Sequence, residues 1–254
     1  MTLTTNEVQQ KLASIKSEHD PFFLECQKDS RKGVQQLVEK WYKNEAAEKQ
    51  KQQQFYSMLR YEREARTKGY RLLAGIDEVG RGPLAGPVVA SAVILKEDCY
   101  IPGLTDSKQL TATVREQYFE LIKENAEAIG IGIVSPEIID HINIYEATKL
   151  AMTEAIKDLK IEPDYLLLDA MKLDISIDQQ SIIKGDAKSV SIAASSVIAK
   201  VTRDRMMMNL AQEYPQYGFD KHMGYGTKIH LEALKQYGVT EYHRKSFAPV
   251  KALL

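Results

Sequence analysis

Residues 71–95 read RLLAGIDEVGRGPLAGPVVASAVIL, two β-rich runs on either side of a segment with Gly and Pro turn signals. Short runs of Leu, Val and Ile bounded by Gly and Pro are typical of strands. The stretch therefore predicts two strands close together in the chain. Asp77 and Glu78 stand near the end of the first strand.

Three more strand patterns follow this pair. EAIGIGIVS at 127–135 predicts a third strand, and DYLLLDA at 164–170 and SIIKGDA at 181–187 predict two more, each ending in an aspartate. Helical patterns at about 111–126, 143–160, 189–213 and 227–237 are interleaved with them. This order predicts an α/β fold with a mixed sheet flanked by helices.

The first 70 residues differ in composition from the rest. They contain almost no turn residues, and apolar positions recur at helical spacing. Asp20 and Pro21 form an N-cap and N1 pair. The polar run at 44–68 predicts one long helix, and Gly69 predicts its stop. We expect a helical N-terminal extension over 1–70 and a second domain over 71–254.

Composition limits the class of protein. The chain has 254 residues, 44% hydrophobic and 27% charged, which is typical of a globular protein. The net charge of −1 gives no global sign of a nucleic-acid partner. Residues 1–70 hold 13 basic and 10 acidic side chains, and residues 71–254 hold 21 and 25. An acidic excess is expected where carboxylates bind cations.

Neither a membrane segment nor a secretion signal is evident. No stretch approaches the length of uncharged apolar residues that crosses a bilayer, and MTLTTNEVQQ does not resemble a signal peptide. Cys26 and Cys99 are too few for a disulfide framework and lack zinc-binding spacing. We therefore expect a cytoplasmic protein that does not bind membranes.

Four acidic residues stand where carboxylates would be costly unless they are neutralised. Asp77, Glu78, Asp169 and Asp186 each follow apolar residues. An all-oxygen ligand set suits Mg²⁺ or Mn²⁺. Three or four carboxylates can hold two such ions for phosphodiester hydrolysis. The alternative is that these aspartates only cap loops and helices.

Several motifs in order along the chain resemble bacterial ribonuclease HII, of the type 2 ribonuclease H family. They cover nearly all of the region after residue 70. The motifs are GIDEVGRGPLAGPVVA at 75–90, DSKQL at 106–110, LLLDAM at 166–171, KGDAKSVSIAASSVIAKVTRD at 184–204 and YPQYGFDKHMGYGTKIHLEALKQYGVTEYHRKSF at 214–247.

The resemblance implies an RNase H-like fold with a five-stranded mixed sheet. It also implies a metal-dependent endonuclease that cuts the RNA strand of RNA/DNA hybrids, and cuts 5′ of ribonucleotides embedded in duplex DNA, leaving 5′-phosphate and 3′-hydroxyl ends. The family's catalytic and metal-binding set corresponds to Asp77, Glu78, Asp169 and Asp186. The implied cofactor is Mn²⁺ or Mg²⁺, and the implied role is ribonucleotide removal from DNA.

Glu78 presents a local difficulty. Successive side chains on a strand face opposite ways, so Asp77 and Glu78 cannot both point at one site from a regular pleat. Either the strand ends or bulges at this point, or Glu78 contributes differently, for example through its backbone carbonyl.

Gly80, Arg81 and Gly82 match the family's glycine-arginine-glycine motif. Backbone without side chains can approach a 2′-hydroxyl, the sugar group that distinguishes RNA from DNA. Pro83 argues against the alternative of a dinucleotide-binding loop. Arg81 favours ribonuclease HII over HIII, in which Thr is expected. Tyr225 matches the family tyrosine that stacks on a sugar at the RNA-to-DNA junction.

Other polar residues are candidate phosphate contacts. Ser107 and Lys108 belong to the DSK motif, and Lys188 and Ser189 stand where a helix is predicted to begin. The basic run at 243–245 either touches a nucleic-acid backbone or forms a solvated face. The N-terminal helices either extend the grip on the duplex or only pack. We expect the chain to act as a monomer.

Three functional classes remain open from the residues. They are a metal-dependent ribonuclease, a noncatalytic hybrid-binding module, and another RNase H-like enzyme such as a resolvase or DNA nuclease. The complete set of four carboxylates weighs against a noncatalytic module. The Gly-Arg-Gly motif and Tyr225 weigh against an enzyme specific for DNA. The ribonuclease is therefore favoured.

Overall fold

The computed structural model describes residues 3–254, which divide into two compact units. The first unit ends at Gln54, and the second comprises Phe55–Leu254. The boundary predicted at residue 70 instead marks the change from helices to strands. Residues 55–70 belong to the second unit because Phe55, Met58 and Ala65 are buried in its cores.

The first unit is helical. Its helices are α1 (Thr5–Leu12), α2 (Pro21–Gln27) and α3 (Lys32–Met58), of which α3 continues into the second unit. The Asp20 carboxylate accepts a hydrogen bond from the Phe22 N–H at 2.8 Å and caps α2, as predicted. A small apolar core holds these helices together, formed by Val8, Leu12, Phe23, Cys26, Val34 and Val38.

The long helix predicted over 44–68 is interrupted. Helix α3 ends at Met58, and α4 spans Arg60–Thr67 after a break at Leu59. The break is slight, because helical hydrogen bonds continue across it from the Leu59 N–H to the Phe55 carbonyl and from the Arg63 N–H to the Leu59 carbonyl. Gly69 follows α4 with φ +101°, consistent with its predicted role as a helix stop.

The second unit is built on a mixed five-stranded sheet, which confirms the predicted fold class. The strands are β1 (Leu73–Val79), β2 (Val88–Leu95), β3 (Ala126–Val134), β4 (Tyr165–Asp169) and β5 (Asp178–Ile182). Their order is β3-β2-β1-β4-β5, so β1 is central. It pairs antiparallel with β2 and parallel with β4.

Six helices accompany this sheet. They are α5 (Ala112–Asn125), α6 (Pro136–Asp158), α7 (Val190–Glu213), α8 (Phe219–His222), α9 (Lys228–Tyr237) and α10 (Ala248–Lys251). The last three pack with the end of α7 and with the loop after β1, and α6 and α7 cover the two faces of the sheet. Helix α6 packs with Ala74 and Ile76 of β1 on one face. Helix α7 packs on the other face, with Val93 of β2 and Leu73 of β1.

Two strand glycines allow these helices to lie unusually close to the sheet. A Cβ at Gly75 would overlap the backbone of Ser191 in α7, and one at Gly132 would overlap the Ala151 carbonyl in α6. Because both contacts are with helix backbone, a larger side chain would force the helix away. Gly75 therefore fixes the distance of α7 from the end of β1.

One predicted strand is shifted. The strand predicted over 181–187 ends at Ile182 as the edge strand β5, and a 3-10 turn at Gly185–Ala187 follows it. Lys184 between them has the left-handed φ of +57°.

The helix predicted from residue 143 begins there, after a shorter helical segment that starts at Pro136. Asn143 has a non-helical backbone, with φ +69°, and separates the two parts of α6. Its side chain accepts a hydrogen bond from the Tyr145 N–H and caps the second part.

Within residues 3–254, none of the helices combines the length and the apolar character that a membrane span requires.

Candidate active site

Asp77 lies near the end of the central strand β1, on the face covered by α7. Its side chain is 5% exposed, and its N–H donates a hydrogen bond to Ser195 Oγ of α7 at 2.8 Å. Ser195 in turn donates to the Ser91 carbonyl of β2 at 2.6 Å. These hydrogen bonds fix the Asp77 backbone relative to α7 and β2.

Two other carboxylates converge on Asp77. Strand β4 runs parallel to β1 with Leu168 opposite Ile76, so Asp169 emerges beside Asp77. The Gly185 N–H donates to Asp169 Oδ1 at 2.7 Å, and this bond brings in the turn that carries Asp186. One oxygen from each of the three aspartates lies within 4.8 Å of the others. Residues far apart in sequence thus form one acidic group.

Glu78 leaves β1 on the opposite face from Asp77. The pairing of β1 with β2 is regular through Val79, without a bulge, so the expected reversal of direction does occur. The Glu78 carboxylate is not one of the three clustered groups, and its Oε1 accepts an ion-pair contact from Arg81 Nη1 at 3.1 Å. Its Oε2 is buried and has no hydrogen-bond partner within residues 3–254.

Three carboxyl groups of this site have raised pKa values. Burial raises the pKa of Asp77 well above its usual value, and the charge of Glu78 raises it further. Burial also raises the pKa of Glu78, against the opposing effect of Arg81. The pKa of Asp186 is raised by burial and by the nearby Asp106 and Asp169 charges. These groups need positive charge in order to ionise together.

Lys108 supplies part of that charge from the turn at Ser107–Gln109. Burial acts to lower its pKa, but the carboxylates of Asp106, Asp77 and Asp186 outweigh this effect and raise it. One lysine cannot neutralise three or four carboxylates.

The donor set fits divalent cations. Three aspartates offer hard oxygen ligands within a few ångströms of one another, without His or Cys. The unpartnered Oε2 of Glu78 is a further buried acceptor close by. The structure thus provides a candidate acidic site for a divalent metal.

A loop and a tyrosine border the acidic group. Gly80 follows β1 with φ +90°. A Cβ at Gly82 would lie 3.5 Å from Tyr225 Cε1, so the loop backbone and the tyrosine ring are neighbours. Tyr225 is 43% exposed. A sugar can stack on such an exposed aromatic ring while its hydroxyl groups contact the neighbouring glycine backbone.

Comparisons with known proteins give the same assignment. A family model described as Ribonuclease HII matches residues 74–250, and one described as Ribonuclease HII N-terminal domain matches residues 4–66. The chain belongs to the ribonuclease HII family. Its activity is therefore that of a ribonuclease H endonuclease, and the resemblance noted in the sequence is confirmed.

Individual relatives agree with this assignment. The Ribonuclease HII of Bacillus subtilis (strain 168) is 61% identical over 251 residues, covering 99% of this chain and 98% of that protein. The ribonuclease H2 structure from Pyrococcus horikoshii OT3 matches with TM-score 0.62 and 28% identity, over 72% of this chain and 97% of that one. The RNase HII of the PCNA:RNase HII complex from Archaeoglobus fulgidus matches with TM-score 0.60 and 26% identity, over 70% and 96%.

The four candidate phosphate contacts of this ribonuclease HII differ in accessibility. Ser107 is 3% exposed and its hydroxyl hydrogen-bonds to Ser196 Oγ at 2.9 Å. Ser189 is fully buried, and its hydroxyl caps α7 and donates to Glu62 at 2.6 Å. Neither hydroxyl is free to meet a phosphate. Lys108 and Lys188 remain candidates, and Lys188 Nζ donates to the Ile183 carbonyl at 2.8 Å.

Sequence reasoning missed two buried arginines. Arg203 and Arg244 are both 0% exposed, so both alternatives, a solvated face and a contact with a nucleic-acid backbone, were wrong for Arg244. The only signal for Arg203 was its place in α7 between Ala199 and Met207, four residues away on either side and both buried. An arginine on an apolar helix face will be buried, and a buried guanidinium group requires carbonyl or carboxylate oxygens as hydrogen-bond acceptors.

Glu62 of α4 was also missed. It is 5% exposed, and its Oε1 accepts hydrogen bonds from Ser189 Oγ and from the Ser191 N–H at 2.9 Å. A carboxylate at the start of α7 complements the helix dipole and completes the N-cap. Glu62 therefore holds the beginning of the helix that carries Ser195.

Proposed function

We propose that this ribonuclease HII hydrolyses the RNA strand of RNA/DNA hybrids and cuts 5′ of ribonucleotides embedded in duplex DNA. In the proposed cut, water adds across the bond between phosphorus and the preceding O3′. The upstream strand gains a 3′-hydroxyl and the ribonucleotide keeps a 5′-phosphate. One observation carries the proposal. The acidic group of Asp77, Asp169 and Asp186 lies close to the glycine-containing loop of residues 80–82 and to the exposed ring of Tyr225.

In this proposal Asp77, Asp169, Asp186 and Glu78 hold Mn²⁺ or Mg²⁺. When bound, two such ions activate water and stabilise the leaving oxygen. Asp77 would contribute most to holding these ions, because its carboxylate is the most buried of the clustered aspartates and lies on the central strand. Glu78, whose side chain leaves the other face of β1, would take part through its unpartnered Oε2, while Arg81 contacts its Oε1.

The remaining proposed contacts concern the substrate. Gly80, Arg81 and Gly82 meet the 2′-hydroxyl and adjacent phosphate, Tyr225 stacks on the sugar on the DNA side, and Lys108 and Lys188 contact phosphates. We further propose that the chain acts as a monomer in ribonucleotide removal. Cys26 and Cys99 are both free thiols, which supports a reducing, cytoplasmic location.

A single experiment tests the activity. The protein is incubated with duplex DNA containing one ribonucleotide, in Mg²⁺, in Mn²⁺ and in chelator, with an all-DNA duplex as control. The proposal predicts one cut 5′ of the ribonucleotide, dependent on metal. Binding without cleavage would indicate a noncatalytic module, and cleavage of the all-DNA duplex would indicate another RNase H-like nuclease.

A further inference from the structure

Two fully buried arginines, Arg203 and Arg244, lie beneath the loop of residues 80–87. Arg244 donates to the carbonyls of Gly80 and Gly86 and, through Nη1, to the Arg81 carbonyl at 2.9 Å. Arg203 donates through Nε to the Pro87 carbonyl at 2.9 Å and through Nη2 to the Ala85 carbonyl at 3.1 Å. Five loop carbonyls therefore point inward at this arginine pair.

The arginine pair has partners of an unusual kind. Buried guanidinium groups normally meet carboxylates, but every hydrogen bond that the structure gives these two goes to a backbone carbonyl. Burial lowers the pKa of Arg203 to about 10, and burial together with the Arg203 charge lowers that of Arg244 to about 9. Both stay protonated at neutral pH. Every hydrogen bond of Arg244 goes to this loop, and Arg203 makes two of its three to the loop and the third to the Met223 carbonyl.

The inward carbonyls fix the direction of the N–H groups. Each peptide bond in the described chain is trans, so the N–H of a peptide unit points opposite to its C=O. The Gly80 and Arg81 carbonyls share peptide units with the N–H groups of Arg81 and Gly82. These two N–H groups must point away from the arginine pair, and neither donates a hydrogen bond within residues 3–254.

Arg203 also connects this loop to the segment before Tyr225. Arg203 Nη1 donates to the Met223 carbonyl at 2.9 Å, and the Leu84 N–H donates to the Gly224 carbonyl at 2.8 Å. The loop of residues 80–87 and the segment before Tyr225 are therefore held by common contacts. The gap between the Gly82 backbone and the tyrosine ring depends on them.

We propose that Arg203 and Arg244 are positioning residues for ribose recognition. By turning the loop carbonyls inward, they present the Arg81 and Gly82 N–H groups, opposite Tyr225, to the 2′-hydroxyl of the substrate. The proposal rests on the proposed function, because it assumes that this loop meets a ribonucleotide. Neither arginine touches the substrate.

Arg244→Lys tests the proposal, because a single ammonium group cannot reproduce the forked contacts with Gly80, Arg81 and Gly86. The variant is made in the Asp77→Asn protein, so that binding is measured in Mg²⁺ without cleavage. Fluorescence anisotropy gives Kd for a duplex with one ribonucleotide and for the all-DNA duplex of the same sequence. We expect the preference for the ribonucleotide to fall at least about fivefold, with the all-DNA Kd unchanged within about twofold.

The control is Arg205→Lys in the same background. Arg205 lies two residues from Arg203 on the same helix, but its side chain is 52% exposed and pairs with Glu116. We expect it to keep the full preference. A merely structural role for Arg244 would weaken binding of both duplexes together, and an unchanged preference in a folded Arg244→Lys protein would overturn the proposal.

Failure of the proposed function is distinguishable. If the Asp77→Asn reference protein itself shows no preference for the ribonucleotide duplex, the assignment of this loop to ribose recognition is wrong and the inference is overturned with it. If Arg244→Lys does not fold, amide NMR of the reference protein decides. The Arg81 and Gly82 amide signals are expected to shift with the ribonucleotide duplex and not with the all-DNA duplex, and equal shifts would refute the proposal.

Discussion

Asp77 is the most buried of the three clustered aspartates. Its carboxyl group is buried beside Asp169, Asp186 and Glu78, and burial and the Glu78 charge both raise its pKa. A residue in this position is unfavourable for folding unless cations neutralise it. Its presence at the end of the central strand is therefore more easily explained by chemistry than by stability.

Asp77→Asn is expected to reduce the cleavage rate at least about a hundredfold, the scale of removing one preorganised electrostatic group. Substrate affinity should be retained, because the asparagine removes charge without removing the loop or Tyr225. Urea unfolding should show stability equal to or above that of the wild type. Cleavage assays with Asp174→Asn as control check this, because Asp174 is exposed. An undiminished rate for Asp77→Asn would exclude the proposed role of Asp77 in holding the metal ions.

Tyr225→Ala is expected to lower cutting at a single embedded ribonucleotide by about 5- to 100-fold, the effect of removing one aromatic stacking partner. Tyr225→Phe should restore most of the rate, because stacking needs the ring and not the hydroxyl. Arg81→Ala should act in the same direction through the loop. Tyr145→Ala is a control, because Tyr145 is 48% exposed on α6. Rates equal to wild type for Tyr225→Ala would argue against the sugar contact.

At the scale of elements, the segment containing α8 and α9 has a core of buried histidines. The His230 and His243 rings are joined through their Nε2 atoms at 3.1 Å, and His230 Nδ1 meets the Tyr225 carbonyl at 2.9 Å. The His243 Nδ1 accepts from the Thr240 N–H. All three hydrogen bonds can form together only when both imidazoles are neutral. Protonation of His230 would place a second N–H in the contact between the two Nε2 atoms, and protonation of His243 would remove the acceptor that meets the Thr240 N–H.

Stability is therefore expected to depend on pH. Burial and the His230 charge lower the pKa of His243 from 6.5 to about 4. The unfolded chain binds a proton near pH 6.5 and the folded one near pH 4, so stability is complete above 6.5 and decreases as pH falls through this interval. The expected decrease from His243 is roughly 3 kcal/mol.

Urea titrations between pH 7.5 and 4.5 measure this dependence. His243→Gln should reduce the slope of unfolding free energy against pH, whereas His141→Gln should not, because His141 is exposed. If His243→Gln leaves the slope as it is in the wild type, the histidine contact does not govern the acid stability of this segment.

At the scale of the whole molecule, most of the positive charge excess of residues 1–70 lies outside the first unit. Residues 1–54 hold 9 basic and 8 acidic side chains, so most of the positive excess lies in and just after α4, within the second unit. A role of the first unit in substrate binding would therefore depend on local exposed lysines rather than on net charge.

Lys40→Gln combined with Lys43→Gln tests that role. Both lysines are exposed, and they lie on α3. If the first unit grips the duplex, the slope of log K against log salt should decrease by about 0.9 for each phosphate that the double variant no longer neutralises. Lys160→Gln is the control, since it lies before β4, at the end of the sheet away from the acidic group. An unchanged slope in the double variant would indicate that these helices only pack.

The sequence by itself determined the class of fold, the strands around Asp77, and the identities of the three aspartates that cluster. It could do so because hydrophobic periodicity and turn residues are local signals, and because Asp77 and Asp169 stand at or near strand ends and Asp186 in the turn after an apolar run. It failed at the edge strand β5, whose polar residues Asp178 and Gln179 do not resemble a strand. An edge strand needs only one neighbour, so tertiary pairing overrides its weak propensity.

Only the tertiary structure decided which polar residues are enclosed. The hydroxyl groups of Ser107 and Ser189 form internal hydrogen bonds, and Glu78 points to the opposite face of β1 from Asp77. Arg203 and Arg244 are buried beneath the loop that they support. These contacts join a guanidinium group to backbone carbonyls that are distant in sequence, so no local sequence pattern predicts them. The sequence therefore specified which chemistry was present. The packing of α7 against β1, and of the C-terminal segment against the loop of residues 80–87, decided where that chemistry could act.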